Sequence, residues 1–200
     1  MDSGYPKAPV EAGHVELAAR RVRGVLDNTT VFDTIRARYV WEWPFYPQYY
    51  LPAEDVAAGV LVSEDESKQT PRGTAQRHSL RAGNRCVPAA AWVYGPDAID
   101  GVAGTVQFAW EALDAWYEED ERVFVHPRNP YTRVDALRSS RRVRVELAGV
   151  VLAESSAPVL VFETGLPTRY YLDPSCVAFE HLLPSDTETP CPYKGRTSRY

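Results

Sequence analysis

Apolar and polar residues alternate over short stretches along most of this chain, and turn-forming residues cut those stretches apart. Arg21–Leu26 alternates and is rich in valine. Asp27-Asn28 follows, then Thr29–Phe32. The period of two predicts strands, and Asn28 suits the left-handed backbone of a tight hairpin turn. Tyr39–Trp43 predicts a further strand, ended by Pro44, and Tyr49-Tyr50-Leu51 another, ended by Pro52. Ala53–Ala58 is read as a single helical turn. Ser63–Arg85 is polar and is read as a loop, and Val87–Tyr94 as an apolar segment. Between Thr105 and Tyr117 the apolar positions Val106, Ala109, Trp110, Leu113, Trp116 and Tyr117 fall at helical spacing, which predicts a short helix near 106–117. Glu121–Val125 returns to strand character.

The same pattern occurs twice. Displaced by 121 positions, Arg20–Val62 lies on Arg141–Leu183 without a gap, and 13 of the 43 pairs are identical. Average composition would give about two or three. The matched pairs include Glu42 with Glu163, Tyr49 with Tyr170 and Tyr50 with Tyr171, and the turn residue Asn28 falls on Gly149. The second copy therefore repeats the first copy's strands: Arg142–Leu147, Val150–Ala153, Leu160–Thr164 and Tyr170–Leu172, with a helical turn at Ser175–Ala178. An internal repeat of this kind decides the architecture before any single element does. The expected class is mainly β, with short antiparallel strands in two related units. Residues 1–19 read as a flexible lead-in, 20–137 as a first unit with its linker, and 138–200 as a second, C-terminally incomplete unit.

Composition narrows the function. The 200 residues carry a formal charge of −5, which argues against a nucleic-acid or anionic-membrane partner. No apolar run approaches the roughly 20 residues of a membrane-spanning helix. There is no basic-then-apolar leader, so a cytoplasmic location is expected. The three cysteines, Cys86, Cys176 and Cys191, form no C-x-x-C pair and read as reduced thiols. No metal and no cofactor are expected.

The stretch RRVRVELAGVVLAESSAPVLVFETGLPTRYYLDPSCV, followed by HLLPSDTETPCPYKG, resembles the bacterial family called domain of unknown function 427. RYVWEWPFYPQYYLPAEDV is similar to the first unit of that family's tandem form, and WEALDAWYEEDERVFVHPRNPYTRVDAL to the segment joining the two units. The resemblance implies β-tent-like units, in which small antiparallel sheets meet at an angle. Relatives of that shape often hold zinc or a small ligand, but this chain lacks the paired cysteines of the zinc-bearing ones. A nucleotidyltransferase-like label attached to the family finds no phosphate-binding loop here.

Several residues could carry chemistry. Glu42 and Glu163 sit inside apolar strands, where burial would raise a carboxylate's pKa unless a cation holds it. Trp41, Trp43, Tyr49 and Tyr50 could wall a pocket for a flat ligand, with Glu42 orienting it. Arg128, Arg169 and Tyr170 could add anion-binding and aromatic contacts. Glu163, His126 and Lys194 could serve as acid–base groups in an enzyme. The expected function is binding of a small polar or aromatic ligand between sheets. The alternative is an enzyme acting on a small polar substrate, and a third reading is a dimerisation or scaffold module forming a homodimer through an unpaired sheet edge.

Overall fold

The computed structural model describes residues 10–197, and the polypeptide separates into two compact units, Val10–Arg128 and a second that begins at Asn129. Strands dominate both, and the helices among the described residues are single 3-10 turns.

The first unit contains β1 (Val15–Leu17), β2 (Val22–Leu26), β3 (Thr29–Thr34), β4 (Arg38–Val40), β5 (Gln48–Pro52), β6 (Leu61–Thr70), β7 (Gly73–Ala82), β8 (Arg85–Tyr94), β9 (Thr105–Phe108), β10 (Ala115–Glu118) and β11 (Glu121–Val123). They form a seven-stranded sheet in the order β1-β4-β5-β9-β8-β7-β6 and a four-stranded sheet in the order β11-β10-β2-β3. The larger core cluster draws on both sheets, with Val22, Leu26, Phe32, Tyr49, Leu80, Phe108 and Trp116 among its members. A smaller cluster gathers Val40, Tyr50, Ala75, Tyr94 and Val102. Neighbouring residues of one strand point to opposite faces. Tyr49 and Tyr50 thus enter different clusters, and both are buried.

The second unit contains β12 (Val134–Arg138), β13 (Val143–Leu147), β14 (Val150–Ser155), β15 (Val159–Glu163), β16 (Arg169–Tyr171), β17 (Pro190–Cys191) and β18 (Gly195–Arg196). The repeat survives in three dimensions, residue for residue. β2 pairs β3 with Leu26 opposite Thr29, and β13 pairs β14 with Leu147 opposite Val150. Both hairpins slip register at the same place, between Gly24 and Val25 and between Val145 and Glu146. Tyr39 faces Tyr49 across β4–β5, as Leu160 faces Tyr170 across β15–β16. The isolated bridge from Phe32 to Val56 recurs as Ala153 to Val177. Each hairpin turn takes left-handed backbone at two residues, Asp27-Asn28 and Ala148-Gly149, as a two-residue turn of this hand requires.

The structure corrects four expectations. The segment 106–117 is not a helix: it is β9, a 3-10 turn at Trp110–Ala112, and β10, which pairs with β2. Cross-strand pairing overrides the helical spacing of its apolar residues. Ser63–Arg85 is not a loop but most of the hairpin β6–β7 and the turn into β8. Its polar side chains suit the largely solvated surface of β6, whose backbone groups are paired by the neighbouring strand. Part of the lead-in, Val15–Leu17, is strand β1 on β4, while residues 1–9 lie outside the described residues. Finally, β12 covers part of the expected first-unit linker, yet it pairs with β15. Its register, Ala136 opposite Val161, reproduces Val15 opposite Val40. The repeat thus starts several residues earlier than the identical positions suggest.

Candidate functional site

The repeated glutamates meet repeated cations. Glu42 lies just past β4 and accepts a hydrogen bond from the Tyr50 hydroxyl at 2.6 Å. Arg72, in the turn between β6 and β7, reaches Glu42 at 3.3 Å and donates to the Tyr50 hydroxyl at 3.0 Å. The Tyr94 hydroxyl lies 3.2 Å from that of Tyr50. In the second unit Glu163 ends β15, and Lys194, in the turn between β17 and β18, places its ammonium 2.5 Å from the carboxylate. In both copies, then, a hairpin downstream of the Tyr-Tyr strand delivers a cation to the repeated acid. Thr70-Pro-Arg-Gly does so in the first and Cys191-Pro-Tyr-Lys-Gly in the second. Glu163 is buried, so its pairing meets the cost of desolvating a charge, whereas Glu42, expected inside an apolar strand, is exposed.

The surroundings of the two acids differ. In the first unit Tyr50 is fully buried, packed with Tyr94, Val40, Ala75 and Val102. Burial, with the Glu42 carboxylate beside it, pushes the Tyr50 phenol far above its usual range. In the second unit Tyr171, the equivalent of Tyr50, is 50% exposed. Strand alternation places Glu163, Val161 and Val159 on one face of the three-stranded sheet β12-β15-β16, and cross-strand pairing adds Arg169 and Tyr171 to that face. Tyr193, beside Lys194, accepts a hydrogen bond from the Asn129 amide at 2.7 Å. Burial raises its phenol pKa.

The other sequence-predicted residues fall as follows. Trp41 and Tyr49 are interior, and Tyr49 stacks between Tyr39 and Trp116 at centroid distances of 5.5 and 5.9 Å. The Tyr49 hydroxyl donates to Glu118 at 2.6 Å. Trp41 and Tyr49 belong to the larger core cluster and Tyr50 to the smaller one, so all three are packed as core. Trp43 is partly exposed and lies edge-on to Tyr46. Tyr46 stacks on His126 at 3.8 Å. Arg128 donates to Glu121 at 3.0 Å, and its backbone amide donates to Glu118. Tyr170 and Arg169 are exposed on β16. Of the proposed acid–base set, Glu163 and Lys194 are in contact, whereas His126 belongs to the other unit. Reading the sequence missed Arg72, Tyr94, Glu118 and Tyr193. The proline- and glycine-bearing turns that follow each Tyr-Tyr strand were the available signal for Arg72.

His126 gives a measurable pH effect. Its ring nitrogen Nδ1 lies 2.8 Å from the Pro127 carbonyl, and burial lowers its pKa below the ordinary value. The folded state therefore favours the neutral ring. That contribution is present above about pH 6.5 and is lost as pH falls through the lowered folded value. His126→Phe retains a ring against Tyr46 but cannot titrate. Urea denaturation at pH 7, 6 and 5 should show a shallower loss of stability for this variant than for the wild type.

Two compact units of short antiparallel strands, related by an internal repeat and each carrying a strand-end acid met by a hairpin cation, define a mainly β tandem-repeat protein. Its residues 14–119 and 135–200 both match the family described as Domain of unknown function (DUF427), and the chain belongs to that family. The two matched segments begin 121 positions apart, the same displacement as the structural repeat. No curated protein matches the chain. Among the described residues no helix is long and apolar enough to cross a membrane, and no group of three or more His, Cys, Asp or Glu residues gathers as a metal site.

Proposed function

We propose that this protein binds a small polar ligand on the Glu163–Lys194 face of its second unit. The observation that carries the reading is the contrast between the copies. The tyrosine that follows the acid is buried in the first unit, where Tyr50 packs with Tyr94 and Val102, but its equivalent in the second, Tyr171, is exposed on the sheet face that Glu163 shares. Lys194 offers donors and Glu163 an acceptor side by side, and strand pairing sets Tyr171 and Arg169 on the same sheet face as Glu163. That combination suits a flat molecule bearing adjacent donor and acceptor groups, such as an aromatic carboxamide or carboxylate. In the first unit the buried Tyr50 presents no such ring to a ligand.

A screen of aromatic carboxamide and carboxylate fragments by NMR tests this. Shift changes should centre on Tyr171 and Lys194. Tyr171→Ala, an exposed substitution, should weaken binding about tenfold or more, equivalent to roughly 1.4 kcal/mol. Tyr50→Phe should leave affinity unchanged. Binding that persists in Tyr171→Ala, or that maps to the first unit, would sink the proposal. An acid–base role for the Glu163–Lys194 pair is the second reading, favoured by their direct contact. It requires turnover of a bound fragment, lost in Glu163→Gln while binding is retained.

A further inference from the structure

The strand β13 carries an edge whose occupant the first unit itself specifies. We infer that two copies of this chain associate through antiparallel pairing of β13 with β13, with Val145 on the two-fold axis. In the first unit the hairpin β2–β3 is extended by a second hairpin, β10–β11, to give the sheet β11-β10-β2-β3. The two hairpins meet through their first strands, antiparallel. In the second unit the equivalent hairpin β13–β14 forms a sheet of two, and no described residue pairs with the outer edge of β13.

The register in the first unit is itself pseudo-symmetric. Leu26 and Glu118 are the last paired residues before the two hairpin turns. Gly24 and Trp116 each precede those residues by two, and they face one another. In β13 the last paired residue is Leu147, and the residue two before it is Val145. A second β13–β14 hairpin docked as β10–β11 docks on β2–β3 therefore sets Val145 opposite Val145. The edge has the right phase for this. The Glu119 amide donates to the Arg21 carbonyl, so Arg21 and, by alternation, Arg23 and Val25 point their backbone groups at β10. Their equivalents Arg142, Arg144 and Glu146 point at the outer edge of β13.

An independent observation selects the same register. With Val145 on the axis, Arg144 of each copy faces Glu146 of the other. The two side chains already pair within one strand at 2.8 Å, and the four charges would form a closed, alternating set. A shift of the axis by one residue, onto Arg144 or Glu146, sets like charges opposite each other. On the other face, Val145 is 43% and Leu147 68% exposed, whereas their equivalents in the first unit, Gly24 and Leu26, lie in the covered sheet. Pairing joins Val143, Val145 and Leu147 from both copies into one apolar strip, an isologous contact in which each residue meets its symmetry partner's complement.

Analytical ultracentrifugation of the full chain should show a concentration-dependent dimer. Arg144→Glu and Glu146→Arg, each singly, should weaken it at least tenfold. The double variant Arg144→Glu with Glu146→Arg restores the alternation and should dimerise again. Val145 sits at a non-hydrogen-bonded pair, the cross-strand position at which two Cβ atoms come closest. Val145→Cys should therefore give a disulfide joining the substituted positions of the two copies under mild oxidation, identified by peptide mass spectrometry. A wild-type chain that stays monomeric at all concentrations overturns the inference. So does a dimer insensitive to both charge changes, or one in which Val145→Cys yields no cross-link.

Discussion

Gly24→Val should destabilise the first unit by about 3 kcal/mol, the upper range for forcing extra methylenes into a packed core. Valine is the residue that the second copy carries at this position, as Val145. A Cβ at Gly24 would collide with the Phe32 ring and come within 2.7 Å of a Leu113 methyl. Phe32 faces Gly24 across the hairpin and packs on Phe108 and Trp116 at 5.3 Å each. In the second copy the same pair is Val145 opposite Ala153. Volume has been exchanged across the strands, glycine against phenylalanine in one unit and valine against alanine in the other. Phe32→Ala alone should cost about 3–5 kcal/mol. The double variant Gly24→Val with Phe32→Ala should be less destabilised than the sum of the singles, by about 1–2 kcal/mol of coupling. Denaturant titration of the four proteins measures this. Strict additivity would mean that Phe32 does not require a glycine opposite.

Glu118→Ala should be comparably damaging, at about 3–5 kcal/mol, because it breaks a buried charge cluster from one side. The Glu118 side chain is 2% exposed and accepts from the Tyr49 hydroxyl, the Arg20 guanidinium at 2.6 Å and the Arg128 amide at 3.0 Å. Removing it takes the carboxylate away from the Tyr49 hydroxyl in the core and from the Arg20 guanidinium. Glu118→Gln retains the size and an acceptor, and should cost clearly less. Arg20→Met should also cost less, since the Arg20 side chain is 36% exposed and the carboxylate keeps its other donors. Midpoints of urea unfolding order the three variants. A Glu118→Ala protein as stable as wild type would remove the cluster from the account of this fold.

The acidic run Glu118–Glu121 shows how far local reading reaches. Four adjacent acidic residues look like one solvated stretch. The hairpin β10–β11 divides them: Glu118 is buried on β10, Glu119 and Asp120 make the turn, and Glu121 starts β11. Charge alone could not separate them, because the division depends on which edge of β2 the hairpin joins. The paired tyrosines fail in the same way. Alternation predicts one inward and one outward tyrosine per copy. In the first unit both are buried, since the seven-stranded sheet is packed against residues on both sides. The acid–cation pairs were only half legible. Both glutamates stand out within apolar strands, but Arg72 is 30 residues from Glu42 and Lys194 is 31 from Glu163, and nothing between them marks the contact.

The amino-acid sequence by itself determined the mainly β class, the doubling and the hairpin turns of both copies. These follow from the two-residue alternation and from residues that accept left-handed backbone, which act over a few neighbours. Tertiary structure alone decided that Tyr50 is buried while Tyr171 is exposed, where the hairpin cations land, and that residues 106–117 form two strands joined by a single turn. Those outcomes rest on pairings between strands far apart in the chain, and equal local patterns received unequal neighbours.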